Sequence, residues 1–303
     1  MTGVVTGGVV FEGPVFSKSF GTNRFVRIYL PPSYESSRRQ RFPVLYVHDG
    51  QNAFTTVGPN VAFGWGNWQL DKTVDDLCAA KKMREIIMVA VDCSNERYLD
   101  YRGPAYEYSR SELNALQRPP AAPGDNLRWN QYTKFLLEEL KPKIDAEYRT
   151  MRDAKNTGLL GSSMGGIASV AMAWENPRIF GKAASLSGAF QVERKNFLKL
   201  LRDYSGRLKP IQVYLDSGVV DYSGGDDGRT NTEAVVKELR RIGWRDGKNL
   251  CYFVDEPPMN DEELEAAGLR RAKWKEAATS QHNEFYWRTR AWRALTFLFP
   301  PEK

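Results

Sequence analysis

The sequence predicts an α/β protein in which a mixed, mostly parallel β-sheet is covered by helices on both faces. Its first segments are strand-like and follow one another directly, which is typical of antiparallel strands. Farther along, apolar strand-like runs alternate with helical segments, the order found when crossover helices join parallel strands. Because no internal repeat or low-complexity linker interrupts this order, we expect residues 1–303 to form a single domain.

The N-terminal elements are predicted from apolar patterns that end at prolines or turn residues. Val9–Phe16 and Arg24–Leu30 are predicted strands, and two prolines close the second one. Pro43–Val47 is a continuous apolar run followed by turn residues, which predicts a strand buried on both faces. Trp68–Ala79 has a helical period, and the apolar run 85–93 is the next predicted strand.

A long polar stretch separates these elements from the second half of the chain. Residues 94–130 are polar and contain prolines, and the helix after them has apolar residues at steps of four. A strand at 156–162 leads into a helix of small residues at 164–175, and a strand at 182–190 follows. The remaining predicted elements are a strand at 211–218, a helix opened by a capping box of Thr230 and Glu233, a strand at 250–256, a charged insert at 257–280 and a final aromatic helix from about Asn283.

Composition excludes several classes of protein. Hydrophobic residues make up 42% and charged residues 26%, which excludes collagen-like, disordered and disulfide-scaffold proteins. The formal net charge of +6 is not concentrated in one segment, so we predict no nucleic-acid partner. No apolar stretch has the length of a membrane span, so no membrane partner is predicted. Because the first residues lack a basic region followed by an apolar one, we expect a cytoplasmic protein.

The histidines and cysteines limit the chemistry further. The chain has two histidines, His48 and His282, which disfavours a multi-histidine metal site, and we predict no bound metal. Cys78, Cys93 and Cys251 lie in apolar helical or strand patterns. We predict that they are small buried side chains in a reducing compartment.

The clearest functional motif is the segment Gly161–Gly165, GSSMG, which fits G-x-S-x-G with Ser163 at its centre. An apolar strand precedes it and a small-residue helix follows it, as a nucleophile elbow requires. A sharp turn there exposes the hydroxyl, and small flanking residues let the strand and the helix approach each other. The helix N-terminus favours negative charge beside the reacting oxygen. We therefore predict that Ser163 is the nucleophile, with Ser162 as the weaker candidate.

A serine nucleophile needs a base, and in this arrangement the order along the chain is serine, acid, histidine. His282 is the only histidine after Ser163, and it lies between a polar insert and the start of the last helix. This loop position favours His282 as the base. His48 ends an apolar strand and is predicted to be a hydrogen-bonded residue that shapes the oxyanion loop.

Four aspartates at or beyond the end of the strand 211–218 are candidates for the acid. Asp221 lies past the strand end, where a side chain can turn toward the loop of His282, and we predict that it is the acid. Asp216, within or at the edge of the strand, is the second choice. Asp226 and Asp227 lie in SGGDDG, which is typical of a flexible, solvated loop.

The oxyanion hole requires two backbone donors, one after the nucleophile and one from the loop after an early strand. The N–H of Met164 is the first predicted donor. The second belongs to the turn that follows His48, where Gln51 is favoured over Gly50.

Together these residues make the chain resemble the putative-esterase family of α/β hydrolases, which includes enterochelin-esterase-like proteins, feruloyl and acetylxylan esterases and S-formylglutathione hydrolases. The resemblance implies an α/β-hydrolase fold and a serine ester hydrolase without a metal or an organic cofactor. In the family's pattern the triad acid stands three residues past the glycine of the D-x-G strand end, which is Asp221 here, and Ser163 and His282 match directly. The resemblance runs over nearly the whole chain and is carried by YLPPSYE, FPVLYVHDGQNAF, FLLEELKPKIDAEYRT, NTGLLGSSMGGIAS, YLDSGVVD and HNEFYWRTRAWRALTFLF.

Two segments, 98–130 and 257–280, are longer than a minimal family member needs, and we expect them to flank the pocket. Aromatic residues near the predicted site are candidates for a wall that binds a phenolic or sugar ester, with core packing as the alternative. Two arginines are candidates for contact with an anionic group, with a solvated surface position as the alternative. The candidates for substrate contact are Trp65, Trp68, Tyr98, Tyr101, Tyr106, Arg97 and Arg102.

The predicted function is hydrolysis of carbohydrate-linked, hydroxycinnamate or small acyl esters, so the expected partner is a small-molecule or oligosaccharide ester. The alternative within hydrolases is a siderophore trilactone hydrolase, which the positive net charge favours weakly. Two other classes stay open, an acyltransferase to a sugar alcohol and an inactive binding protein on the same fold. Formation of a new ester with trehalose or glucose would indicate the first, and absence of labelling by a fluorophosphonate would indicate the second.

Overall fold

The computed structural model describes residues 7–104 and 125–302 of the chain. Its strands are β1 (Gly8–Ser17), β2 (Thr22–Leu30), β3 (Val44–His48), β4 (Ile87–Val91), β5 (Thr157–Ser162), β6 (Lys182–Leu186), β7 (Gln212–Ser217) and β8 (Leu250–Val254). Within the described ranges they form one sheet in the order β1-β2-β4-β3-β5-β6-β7-β8. The β1/β2 and β2/β4 pairs are antiparallel, and the strands from β3 to β8 are parallel. The predicted mixed sheet with antiparallel N-terminal strands is thus confirmed.

Helices follow most of the parallel strands and return the chain to the end of the sheet at which the next parallel strand begins. They are α1 (Leu70–Ala79), α2 (Arg97–Tyr101), α3 (Asp125–Lys134), α4 (Lys141–Glu147), α5 (Ser163–Glu175), α6 (Val192–Asp203), α7 (Arg229–Ile242), α8 (Asp261–Ala266), α9 (Trp274–Ala277) and α10 (Glu284–Leu298), with a π-helical segment, Phe135–Leu140, between α3 and α4. Within the described ranges, none of the helices has the length and apolar character needed to cross a bilayer.

The central strands are buried on both faces because alternate residues pack into two different cores. In β3, Val44 and Tyr46 belong to the core that contains apolar residues of α5, α6 and α7. Leu45 and Val47 point the other way, into the core that contains apolar residues of α1 and α10. Both sets are apolar, so the strand appears in the sequence as a continuous apolar run.

Two local predictions need correction. The strand predicted over 182–190 ends at Leu186, because the chain turns at Ser187, whose φ is +46°. The predicted capping box is wrong, since α7 begins at Arg229 with Gly228 as its N-cap. Thr230 therefore lies inside the first turn, where its backbone N–H donates to the Asp226 carboxylate at 3.0 Å.

The charged insert, residues 257–280, contains α8, α9 and a short 3₁₀ turn, and it packs on the start of α10. Leu264, Leu269 and Ala277 form a small apolar cluster with Phe285 and Tyr286. This cluster ties the insert to the helix that follows His282 directly.

Candidate active site

Ser163 lies at the turn where β5 ends and α5 begins, at the carboxyl edge of the parallel strands. Its φ is +51°, in the left-handed region that residues other than glycine rarely adopt. A Cβ on Gly161 would lie 2.4 Å from the backbone carbon of Gly165, and a Cβ on Gly165 would lie 3.1 Å from the Cβ of His48. The two glycines of the motif are therefore required by the close approach of strand, helix and the loop after β3.

His282 reaches Ser163 from the loop before α10. Its Nε2 lies 2.9 Å from the Ser163 Oγ, although the two residues are 119 positions apart in the chain. The neighbouring Gln281 is fully buried and anchors this loop. Its Oε1 accepts from the N–H of Val219 at 2.7 Å, and its Nε2 donates to the carbonyl of Glu256 at 2.8 Å. The predicted serine and histidine are thus brought into hydrogen-bond distance.

The carboxylate beside His282 belongs to Asp227, which corrects the prediction of Asp221 at this position. The Nδ1 of His282 lies 2.6 Å from the Oδ1 of Asp227. The Asp227 side chain is completely buried, although its sequence surroundings suggest a solvated loop. Its Oδ2 accepts from the backbone N–H of Gly218 and from the hydroxyl of Ser187. Asp227, His282 and Ser163 therefore form one continuous chain of hydrogen bonds.

Asp221 instead closes the loop that leads to Asp227. Its Oδ1 accepts from the N–H of Ser223 at 2.8 Å, from the hydroxyl of Ser223 at 2.6 Å and from the N–H of Gly225 at 2.9 Å. Partial burial raises the pKa of Asp221, but these hydrogen bonds outweigh that effect and bring the pKa below its ordinary value. The loop reverses at Gly224 and turns again at Asp227, with φ values of +76° and +54°. The second of these turns is where the carboxylate that reaches the histidine is found.

The other two aspartates of this region have different partners. Asp216 is fully buried, lies 3.1 Å from the guanidinium of Arg290 and accepts from the Tyr214 hydroxyl at 3.0 Å. Asp226 accepts from the backbone of Thr230 at the start of α7. Asp216 is thus part of a buried ion pair, and Asp226 is hydrogen-bonded to the first turn of α7.

The two backbone N–H groups predicted for the oxyanion hole belong to the first turns of helical segments. Met164 is the second residue of α5, and Gln51 is the second residue of the 3₁₀ turn Gly50–Asn52. N–H groups in a first turn have no acceptor within their own helix, so both can donate to an outside oxygen. The Gln51 side chain anchors its turn, because its Oε1 accepts from the N–H of Cys93 at 3.0 Å.

His48 lies under this loop and is buried, with 2% of its surface exposed. Its Nδ1 lies 2.7 Å from the Tyr132 hydroxyl, which agrees with the prediction of a hydrogen-bonded histidine. Burial lowers the pKa of His48 to about 4, so its ring is neutral at pH 7. The next residue, Asp49, has φ +58° and turns the chain toward Gln51.

A pocket of about 880 Å³ opens beside Ser163 and His282. Phe63 and Tyr222 are 96% and 81% exposed, which places them at its mouth, whereas Trp68 is 2% exposed. The predicted contact residues Trp65 and Trp68 both line this pocket. Its aromatic lining residues are Phe63, Trp65, Trp68, Tyr222 and Trp287.

Of the other predicted contact residues, Arg97 lines the pocket and Tyr101 does not. The Nε and Nη2 of Arg97 each lie 2.7 Å from an oxygen of the Asp49 carboxylate. Tyr101 is fully buried and packs against His48 and Tyr132, with ring centroids 5.1 and 5.2 Å away. Tyr101 is therefore a core residue that supports the loop after β3.

Tyr98 and Arg102 are directed toward Glu193 and not into the pocket. The Tyr98 hydroxyl donates to Glu193 at 2.6 Å, and the buried guanidinium of Arg102 lies 3.1 Å from the same carboxylate. Their predicted substrate contact is therefore replaced by contact with α6. Tyr106 lies outside the described residues.

Comparison with known proteins identifies the family of the chain. A family model described as "Putative esterase" matches residues 17–297. The chain therefore belongs to the putative esterase family. It is a carboxylic ester hydrolase with an α/β-hydrolase fold.

Individual relatives of this esterase are distant in sequence. "Uncharacterized protein YbbA" of Bacillus subtilis is 22% identical over 268 residues, which are 80% of this chain and 88% of that protein. A solved ferulic acid esterase is 16% identical with a TM-score of 0.66, over 97% of this chain and 98% of its own. The enterobactin esterase FES from Shigella flexneri is 14% identical with a TM-score of 0.63, over 95% of this chain and 58% of its own. The two structures share the fold of this chain.

The pocket of the esterase has no excess of positive charge among the lining residues that the structure describes. Arg97 is paired with Asp49, and Lys273 lies 2.8 Å from Glu276. A third carboxyl group, that of Glu284, forms no salt bridge with a residue that the structure describes, and it accepts from the Asn52 amide at 3.1 Å. Burial raises the pKa of Glu284 to about 7. The described lining residues therefore contribute no excess positive charge to the net charge of +6.

Sequence reasoning ranked Asp227 below Asp221 and Asp216 among the candidate acids, and it missed Glu284, Tyr222 and Phe63. Glu284 stands two residues after His282, and Tyr222 stands next to the predicted Asp221, so proximity to predicted site residues was an available signal for both. For Phe63 and Asp227 the decisive feature is a backbone turn with positive φ, which the sequence does not display.

Proposed function

We propose that this esterase is a serine hydrolase that works through an acyl-enzyme. Ser163 attacks the acyl carbon of the ester while the Nε2 of His282 takes its proton. Asp227 holds the imidazole in the required orientation and stabilises the imidazolium. The N–H groups of Met164 and Gln51 donate to the oxyanion, and the protonated His282 then protonates the leaving alcohol. Water hydrolyses the acyl-enzyme with His282 again as base.

The observation that carries this proposal is the hydrogen-bonded chain from Asp227 through His282 to Ser163, with distances of 2.6 and 2.9 Å. The chain ends at a serine with φ +51° on a strand–helix turn, where strain exposes the hydroxyl. Membership of an esterase family makes ester cleavage the natural use of such an arrangement.

For the substrate we infer an uncharged ester with an aromatic or sugar group, such as a hydroxycinnamate or a carbohydrate-linked ester. The pocket volume of about 880 Å³ lies within the range of sites that enclose a small organic ligand. Aromatic side chains offer ring faces to a phenolic acyl group or to the apolar face of a sugar. Asn52 and Glu284 on the same lining offer an amide and a carboxyl group to hydroxyl groups.

A siderophore trilactone is the weaker candidate, because its metal complex is strongly anionic. Recognition of such a ligand needs cations that lack a partner within the site. The two cations of the described lining, Arg97 and Lys273, are each paired with a carboxylate. The unpaired carboxyl of Glu284 adds repulsion once it is ionised.

The chemistry is tested with Ser163→Ala, assayed on p-nitrophenyl acetate and with a fluorophosphonate probe. We expect turnover to fall by about three orders of magnitude or more and labelling to disappear. Ser162→Ala is the matched control, because it removes the adjacent hydroxyl and should keep both turnover and labelling. Retained turnover in Ser163→Ala would overturn the proposed mechanism.

The substrate class is tested by measuring kcat/KM of the wild-type enzyme on methyl ferulate, acetylated xylo-oligosaccharide and enterobactin side by side. We expect the ferulate or the sugar ester to be preferred. A preference for enterobactin would overturn the substrate inference while leaving the serine mechanism intact. Product analysis with glucose present separates hydrolysis from acyl transfer, since transfer yields a new ester.

A further inference from the structure

A buried polar network lies behind Asp227, on the side opposite His282, and the proposed mechanism gives it no role. Its centre is Ser187, the residue after β6, with 1% of its surface exposed. The Ser187 Oγ lies 3.0 Å from the Trp287 Nε1, 2.6 Å from the Arg290 Nη2 and 2.5 Å from the Asp227 Oδ2. The Ser187 hydroxyl thus connects Trp287 and Arg290, both on α10, with the Asp227 carboxylate beside His282.

The partners of Ser187 fix the direction of its proton. An indole N–H and a guanidinium N–H can only donate, so Trp287 and Arg290 occupy the two lone pairs of the Ser187 oxygen. The hydroxyl proton is left with one acceptor, the Asp227 Oδ2. Ser187 is therefore an obligatory donor to Asp227.

The direction of the hydrogen bond from Ser187 to Asp227 bears on where the hydrogens lie between Asp227, His282 and Ser163. Asp227 Oδ2 accepts from Ser187 and from the Gly218 N–H, so this oxygen acts as an acceptor toward both neighbours. With the carboxylate as acceptor on both oxygens, the hydrogen between Asp227 Oδ1 and His282 belongs to the Nδ1 of the imidazole. The Nε2 then has a free lone pair directed at Ser163, as a general base requires.

Arg290 supplies the positive charge that this arrangement needs. Its guanidinium is completely buried and lies 3.1 Å from Asp216, 3.3 Å from Asp255 and 3.9 Å from Asp227. Buried carboxylates are costly without such compensation. Arg290 thereby balances the charge of the acid beside His282 as well as that of two further aspartates.

The backbone of Ser187 supports a functional reading of its hydroxyl. Its φ is +46°, a conformation in which glycine is favoured, and Gly188 follows directly. Backbone strain of this kind persists where the surrounding structure requires the residue. A serine at this position therefore keeps a strained backbone in order to place a hydroxyl.

We propose that Ser187 and Arg290 are positioning residues for the proposed serine mechanism, and this inference rests on that proposed function. Ser187 orients the Asp227 carboxylate and draws part of its negative charge away from the oxygen that faces His282. Arg290 holds the Ser187 oxygen from the opposite side. The described titratable and charged groups around Asp227 and His282 are Asp216 and Tyr214 on β7, Asp221 and Tyr222 on the following loop, Asp255 after β8 and Arg290 on α10.

The test compares Ser187→Ala and Ser187→Gly with wild type on p-nitrophenyl acetate. Both variants lose the hydroxyl, and Ser187→Gly also relaxes the backbone, so it keeps the test valid if the alanine variant folds poorly. We expect kcat to fall about 10- to 100-fold in both, as for loss of one hydrogen bond to a charged group, with KM nearly unchanged. Ser185→Ala is the matched control, because Ser185 lies on β6 two residues before Ser187 and its buried hydroxyl has no partner among the described residues, so the variant should match wild type.

A second readout does not depend on turnover. The chain has two histidines, and burial lowers the pKa of His48 to about 4, so an NMR titration of the histidine rings reports His282 separately. Loss of the Ser187 hydroxyl concentrates negative charge on the oxygen that faces the imidazole, which favours the imidazolium. We expect His282 to titrate at a higher pH in both Ser187 variants, and the acidic limb of the kcat/KM profile to move the same way.

The outcomes separate the two proposals. Wild-type kcat and an unchanged histidine titration in Ser187→Gly would overturn the positioning role of Ser187. Absence of ester turnover and of fluorophosphonate labelling in the wild type, with the histidine titration still shifted in the Ser187 variants, would overturn the proposed function and support the positioning contact.

Discussion

At the scale of single residues, one aspartate out of four in the same region contacts the Nδ1 of His282. The G-x-S-x-G motif indicates Ser163, and chain order leaves His282 as the one histidine after it. Four aspartates were candidates for the acid, and all of them lie between positions 216 and 227. The choice depends on how the loop after β7 folds, and Asp227 reaches the histidine because the backbone turns through positive φ at Gly224 and again at Asp227 itself.

The identity of the acid leads to a paired prediction. We expect Asp227→Asn to lower kcat about 10³- to 10⁴-fold on p-nitrophenyl acetate. Its amide oxygen will face the donors Ser187 and Gly218, so its NH₂ group will face His282 and place the imidazole proton on Nε2. Asp221→Asn is the matched control on the same loop, and we expect its kcat to stay within about threefold of wild type, because the asparagine Oδ1 can accept the same three hydrogen bonds. A large fall in kcat in Asp221→Asn together with a small fall in Asp227→Asn would contradict the assignment of Asp227 as the acid.

The carboxyl of Glu284 leads to a prediction about the pH dependence of stability. Burial raises its pKa in the folded chain to about 7 from an ordinary value of 4.5. The folded state therefore holds this proton more tightly than the unfolded state, and the resulting stability is lost as the pH rises from 4.5 through 7. Glu284→Gln removes this loss, so the variant should gain stability relative to wild type as the pH rises. The free energy of unfolding of the variant minus that of wild type should be about 1–3 kcal/mol larger at pH 8 than at pH 5.

Urea denaturation at the two pH values measures this difference. Glu262→Gln on α8, which is exposed, serves as the control and should show the same difference from wild type at both. A pH-independent effect of Glu284→Gln would show that the carboxyl is not held protonated in the folded chain.

At the scale of elements, the sequence predicted the strands and helices because their apolar periods are strong. Strand β3 is a continuous apolar run that fills two cores, and β5 runs directly into α5, as the motif requires. The predictions failed where a turn is decided by one or two dihedral angles. The end of β6 at Ser187 and the start of α7 after Gly228 are both of this kind, since each depends on a positive φ.

The β5–α5 turn supports a prediction about packing. We expect Gly161→Ala to lower the free energy of unfolding by about 3 kcal/mol or more, because its Cβ would lie 2.4 Å from backbone atoms of Gly165 that cannot move independently. Gly8→Ala in β1 is the control, since a Cβ there meets nothing within 4 Å, and its effect should be within about 0.5 kcal/mol. Urea denaturation compares the two, and equal stabilities would show that the turn can relax.

At the scale of the whole molecule, the pocket is built from segments that are distant in the sequence. The segment 60–69 supplies aromatic residues, and the insert 257–280 supplies Lys273 and Glu276 from the other side. The sequence predicted that the insert would flank the pocket, because it directly precedes His282. The sequence did not reveal how these two sides of the pocket, which we call its two walls, are joined. The contacts between the walls link residues about two hundred positions apart.

The link between the walls is Arg270. Its guanidinium donates to the carbonyl of Gly64 at 2.6 Å and to the Asn60 side chain at 3.2 Å, while Lys273 lies 4.7 Å from the centre of the Trp65 ring. Arg270 itself does not line the pocket. Its removal should loosen the wall while leaving Ser163 and its partners in place.

We therefore expect Arg270→Ala to raise the KM for methyl ferulate about 3- to 10-fold, the size of effect that follows from losing surface hydrogen bonds. Turnover of p-nitrophenyl acetate, whose small acyl group needs little of the wall, should stay within about twofold. Arg271→Ala is the matched control, because the neighbouring guanidinium lies over Trp274, 5.4 Å from its ring centre, and takes no part in the link. Steady-state kinetics of both variants on both esters tests this prediction. An equal fall in kcat/KM on the two esters would mean that Arg270 supports the reacting residues and not the pocket wall. The same KM for methyl ferulate in Arg270→Ala and Arg271→Ala would mean that the walls do not depend on the Arg270 contact.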